Sequence, residues 1–92
     1  MRFEWDEKKN RINIRRHGID FNDAVEIFDH PMLTAVDDRE DYGEERWIGI
    51  GLMLPRVAVV VFTERLDDVI RIISARKATK HETKQYEKAI QN

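Results

Sequence analysis

The chain of 92 residues has no cysteine. It can form no disulfide, and no thiolate can serve as nucleophile or metal ligand, which fits a reducing compartment. Long hydrophobic runs are missing as well. The longest, Val57 to Phe62, is far too short to cross a bilayer. The opening MRFEWDEKKN has no apolar stretch of the kind a secretory signal needs, so a cytoplasmic protein is expected, with no membrane partner. There is no internal repeat, low-complexity segment or linker, and one domain over residues 1–92 is expected. Metal-ligand spacing is lacking too. The histidines stand at positions 17, 30 and 81, and the acidic stretch 37–45 does not follow the Asp-x-Asp-x-Asp-Gly order of a calcium loop. No cofactor is expected.

What the chain has is charge. Charged residues make up 37% and hydrophobic residues 41%, which leaves a thin core under an ionised surface. The formal net charge of −2 hides an asymmetry. From Asp20 to Glu45 there are ten acids and one base, Arg39. The rest of the chain carries fifteen bases and eight acids. A local field of one sign attracts phosphate even when the total is acidic.

The pattern reads as β-α-α-β-β-β-β-α. Phe3 to Trp5 is a short first strand. Asp6 is the N-cap of a helix that runs to about His17 and stops at Gly18. On it Lys9, Asn13 and His17 share a polar face, so Trp5, Ile12 and Ile14 are expected to supply the packing. A second helix, from about Asn22 to Asp29, has the apolar stripe Phe21, Ala24, Val25, Phe28 and ends before Pro31. Leu33 to Val36 is a strand, followed by an acidic turn. Three segments then form an antiparallel meander. Arg46 to Met53 alternates, Val57 to Phe62 is apolar throughout, and Val69 to Ala75 is apolar except for Arg71, with turns at Pro55-Arg56 and Leu66-Asp67-Asp68. Thr79-Lys80-His81-Glu82 fits a capping box that opens the last helix. The fold class is α+β, with a four- to five-stranded antiparallel sheet, two N-terminal helices and one C-terminal helix.

Two apolar strands run into arginine. Val57, Val59, Val61, Thr63 and Arg65 share one parity, and Ile70, Ile72, Ser74 and Arg76 share another. Guanidinium groups at strand ends sit on rigid backbone and match phosphate geometry. The plainer alternative is that each arginine partners the acidic segment. Around Arg76, phosphate binding gains support from Lys77, Lys80, His81 and Lys84 and from the first amides of the last helix. Metal-free RNA cleavage needs little more. The 2′-hydroxyl attacks the adjacent phosphorus, one group takes its proton, another gives a proton to the leaving oxygen, and cations stabilise the added charge. His17, His81, Glu82 and Tyr86 are candidates for proton transfer. A histidine at a helix C-terminus is otherwise a simple partner of the helix dipole.

The pieces "FEWDEKKN", "RRHGIDF", "VEIFDHP", "EERWIGIG", "VVVFTER" and "IRIISARKATKHETKQYE" occur in order across nearly the whole chain. With them the sequence resembles the BrnT family of type II toxin-antitoxin ribonuclease toxins. That resemblance implies a RelE-like fold, endoribonuclease activity that stops translation, and neutralisation by a BrnA-like ribbon-helix-helix antitoxin whose complex binds operator DNA. It also implies functional positions at Lys9, His17, Arg65, Arg76 and Tyr86. An RNA-binding or corepressor module without catalysis is the alternative. The acidic total departs from the basic character usual for such toxins, so RNA binding requires the acidic segment to lie on another face.

Overall fold

The computed structural model describes residues 1–90. Its elements are β1 (Arg2–Glu4), α1 (Glu7–His17), α2 (Phe21–Ala24), a 3-10 helix (Val25–Asp29), β2 (Leu33–Val36), β3 (Trp47–Met53), β4 (Arg56–Arg65), β5 (Val69–Lys77) and α3 (Lys80–Ile90). The strands form one sheet in the order β1-β5-β4-β3-β2. The sheet is mixed, not antiparallel as expected. β2 to β5 form an antiparallel meander, but β1 pairs with the start of β5 in parallel, Arg2 opposite Val69 and Glu4 opposite Arg71. Three residues of β1 carry no pattern that could have set its direction. The second helix also differs, since only its first turn is α-helical and the remainder tightens into the 3-10 form.

Side chains alternate across the sheet. On the first face Trp47, Gly49 and Gly51 stand opposite Phe62, Val60 and Ala58. The connection after α1 covers this face with Ile19, Phe21, Ala24 and Ile27, all at most 1% exposed. Glycine is needed at position 51, because a Cβ there would lie 2.8 Å from the Ile27 side chain. The second face carries Ile48 and Ile50 opposite Val61 and Val59. α3 covers it, because Arg76, in register with Val59, is bonded to Glu82 on that helix.

A β-bulge alters the expected parity of β5. Phe62 pairs with Ile72 but Val61 pairs with Ser74, which leaves Ile73 as the extra residue. Ile70 and Ile72 therefore face the core, while Ser74 and Arg76 turn to the second face. The sequence reading had placed all four on one side.

α1 departs most from expectation. Ile12 and Ile14 are 50% and 39% exposed, and the buried residues of the helix are Asn10 and Asn13. Asn13 Nδ2 donates to the carbonyls of Ile19 (2.9 Å) and Ala75 (2.8 Å), and its Oδ1 accepts from the Ala75 amide (3.1 Å). Asn10 Oδ1 accepts from the Phe21 amide, and its Nδ2 donates to Asp20. The helix is held by amide hydrogen bonds, not by an apolar stripe. Asp6 caps its start by accepting from the amides of Lys8 and Lys9, and Gly18 ends it with a left-handed φ of 71°.

Candidate nucleic-acid interface

Asn13 ties α1 to the part of β5 that β1 leaves uncovered, and this places the rest of the helix. On either side of Asn13 the helix and strand bound a groove of about 130 Å³, lined by Lys9, Ile12, Arg16, His17, Ile73 and Ser74 together with Asn13 itself. Two expected site residues, Lys9 and His17, thus share one groove. Arg16 and Ser74 join them and were not singled out from the sequence. A signal for Arg16 existed, since Lys8, Ile12 and Arg16 form the helical row beside Lys9, Asn13 and His17. Ser74 depends on the bulge and left no trace in the pattern.

The electrostatics of α1 are one-sided. Among the described residues, the side chains of Lys8, Lys9, Arg11, Arg15, Arg16 and His17 make no ion pair or hydrogen bond. Arg15, Arg16 and His17 form the last turn, where carbonyl groups favour cations. A second shallow depression on this helix is lined by Ile12, Arg15 and Arg16, so it shares two residues with the groove.

Arg76 stands two residues beyond Ser74 on the same side of β5, about 7 Å along the strand. Its fork is engaged: Nη1 and Nη2 donate to the two carboxylate oxygens of Glu82 at 2.8 and 2.9 Å, and Nη1 also reaches the Lys77 carbonyl. Glu82 closes the expected capping box, accepting from the Thr79 amide while its own amide donates to Thr79 Oγ1. The Arg76 hydrogen bonds draw the Glu82 carboxyl down to about 2, against the desolvation of its partial burial. The same pairing raises the Arg76 guanidinium. Lys77, Lys80, His81 and Lys84 are exposed around this point and unpaired among the described residues.

The remaining expected positions lie elsewhere. Arg65 pairs with Val69 at one end of the β4–β5 hairpin and Arg76 with Val59 toward the other. Six residues of β4 separate those points, roughly 20 Å at strand spacing. The two arginines do not meet in one pocket. Arg65 lies beside Glu4 at 3.7 Å, and Arg71 bonds the same carboxylate at 2.9 Å. Tyr86 is 3% exposed and donates its hydroxyl to the Pro31 carbonyl at 2.7 Å, and burial raises its pKa. That hydroxyl links α3 to the start of β2.

Comparison with known proteins gives this geometry a context. Residues 5–82 match the model of the family described as ribonuclease toxin, BrnT, of type II toxin-antitoxin systems. The chain belongs to the BrnT family. The BrnT match includes α1, the whole sheet beyond β1, and the capping box of α3. Among solved structures, the crystal structure of the Brucella abortus ribonuclease toxin BrnT is similar, with 29% identity and a TM-score of 0.67. The similarity covers 87% of this chain and 99% of that one. No curated protein matches. Membership assigns the chain to the toxin side of a toxin-antitoxin pair, and to ribonucleases in general.

Proposed function

We propose that this BrnT-family chain is a metal-independent endoribonuclease that inhibits translation in the cytoplasm, with its site in the groove between α1 and β5. The observation that carries this reading is the row of cations on α1, unpaired among the described residues, which brings Lys9, Arg16 and His17 to a groove that Ser74 also lines, with Arg76 two residues further along β5. Lys9, Arg16 and His17 offer the cations and the proton-transfer group that a metal-independent reaction needs, so the reaction is assigned to the side chains. The fold is read as a relative of the RelE-type toxins. The partner is read as a BrnA-like ribbon-helix-helix antitoxin that carries the complex to operator DNA.

The chemistry follows from the groove. Lys9 and Arg16 hold the scissile phosphate. His17 brings an imidazole to the groove and takes the proton of the attacking 2′-hydroxyl. The 2′-oxygen bonds to phosphorus, and the bond to the 5′-oxygen breaks. Lys9 returns a proton to that leaving oxygen, and a 2′,3′-cyclic phosphate remains. Arg76, with both terminal nitrogens held by Glu82, contributes positive charge and not its fork to the non-bridging oxygens. Lys77, Lys80, His81 and Lys84 hold the flanking RNA. Arg65 and Tyr86, which the family resemblance had marked, keep structural roles in this scheme.

The test is cleavage of a defined RNA in EDTA. Wild type cleaves. His17→Ala loses about 100-fold or more in rate, as expected for removal of a general base. Lys9→Ala and Arg76→Ala lose about 10- to 100-fold, and Arg65→Ala stays within about threefold of wild type. Full activity of His17→Ala, or loss of wild-type cleavage in EDTA, contradicts the mechanism.

A further inference from the structure

The two edges of the sheet are treated differently. On the β5 side, β1 covers the first part of the strand and Asn13 occupies the backbone of Ala75. On the other side no strand among the described residues pairs with the outer edge of β2. Its residues Leu33, Thr34, Ala35 and Val36 are all exposed, with Val36 at 46%. The Asp37 amide donates to the Arg46 carbonyl, which sets the phase of the ladder. Positions 33, 35 and 37 bond to β3, and the backbone N–H and C=O groups of Thr34 and Val36 point outward. Natural sheets blunt such edges with lysine, proline, bulges or a covering element. β2 has none of these: it is uncharged and regularly paired.

Beside this edge, on the first face, lies an apolar groove of about 320 Å³ whose walls include Met32, Thr34, Trp47 and Phe62, with one acid, Glu64. It adjoins a larger depression of about 510 Å³ that shares Trp47 and Glu64 and adds Glu44, Glu45 and one base, Arg65, with Glu44 already bonded to Arg46. Thr63 also lines that depression, and its buried hydroxyl has no hydrogen-bond partner among the described residues. The surroundings of this edge are therefore apolar next to β2 and acidic beyond it.

We propose that β2 is the docking edge for the antitoxin. An extended antitoxin segment pairs with Thr34 and Val36, places apolar side chains over Met32 and Trp47, and sets a basic side chain against Glu45 and Glu64. Main-chain bonds supply affinity in this mode, and alternate side chains supply specificity. A second copy of the chain is disfavoured as occupant. Pairing β2 with β2 would bring together two acidic segments, each with six acids and one base over residues 37–45. The proposal rests on the toxin-antitoxin reading, but not on the cleavage mechanism, because the edge lies across the sheet from α1.

The experiment is residue-resolved amide hydrogen exchange on the toxin alone and on the complex purified after co-expression with its cognate antitoxin. The Thr34 and Val36 amides exchange freely in the lone toxin and slow by about 100-fold in the complex, while those of Leu33 and Ala35 are protected in both. Val36→Pro removes one outward donor without touching the β3 ladder, so antitoxin affinity falls by about tenfold or more at unchanged ribonuclease rate. Val36→Lys repeats the test should the proline variant fold poorly. A complex in which Thr34 and Val36 still exchange freely overturns the edge and leaves the toxin reading intact. Protection in the lone toxin that grows with concentration means self-pairing and also overturns it. Failure of the two proteins to associate overturns the pairing itself, and this edge with it.

Discussion

Asn13 does with one amide what a neighbouring strand would do with its backbone. It satisfies the N–H and C=O of Ala75 and a third group, the Ile19 carbonyl, all inside the protein. Leucine is near in volume but leaves three buried polar groups unpaired, each costing about 1–3 kcal/mol. Asn13→Leu is therefore expected to lower stability by roughly 3 kcal/mol and to reduce the melting temperature by more than about 10 °C. A melting temperature within about 2 °C of wild type would show that α1 is held by something else. The sequence placed Asn13 on a polar face with Lys9 and His17, which is where it lies. It could not show that Asn13 itself turns inward, because the partner backbone is 62 residues away.

At the scale of elements, local chemistry was legible where a short motif determines the structure. Asp6 and Gly18 bound α1, and Thr79 with Glu82 opens α3. Alternation marked β3, apolar runs marked β4 and β5, and β2 matched its expected span. What escaped was whatever depends on distant partners: the direction of β1, the bulge at Ile73, and the exposure of Ile12 and Ile14. Arg76 and Arg65 were legible as strand-end arginines at the two ends of one hairpin, but the distance between them was not. Glu82 joins two elements, tying β5 to α3 through Arg76. Its carboxyl titrates near 2 in the folded chain, below its ordinary 4.5. A lowered acid contributes stability above the unfolded value, and that contribution is lost as pH falls from about 4.5 toward 2. Glu82→Gln should remove this part of the acid dependence and cost roughly 1–2 kcal/mol at pH 7, after allowance for solvent screening of a partly exposed pair. Thermal melts from pH 7 to 3 check it, and identical pH profiles for wild type and variant would contradict the assignment.

Across the whole molecule, asymmetry along the chain becomes asymmetry across the sheet. The basic residues of α1 and the start of α3 gather at β5. The acidic loop joins β2 to β3, and β2 is three strands away, roughly 14 Å at ordinary strand spacing, although Arg39 of that loop comes near enough to Arg76 for their charges to oppose each other. Part of that loop is internally neutralised. Arg39 bonds both carboxylate oxygens of buried Asp37 and holds its carboxyl near 2, and Arg46 bonds Glu44. An acidic total is thus compatible with a phosphate-binding side, which composition alone left open. The placement of RNA in the α1–β5 groove is tested most directly by amide chemical shifts on titration with a 2′-O-methyl RNA oligonucleotide, which lacks the attacking hydroxyl. The account predicts the largest shifts over Lys8 to His17 and Ile73 to Lys77, with the Leu66-Asp67-Asp68 turn and residues 38–45 unmoved. Shifts centred on Arg65 and that turn, with α1 silent, would contradict it.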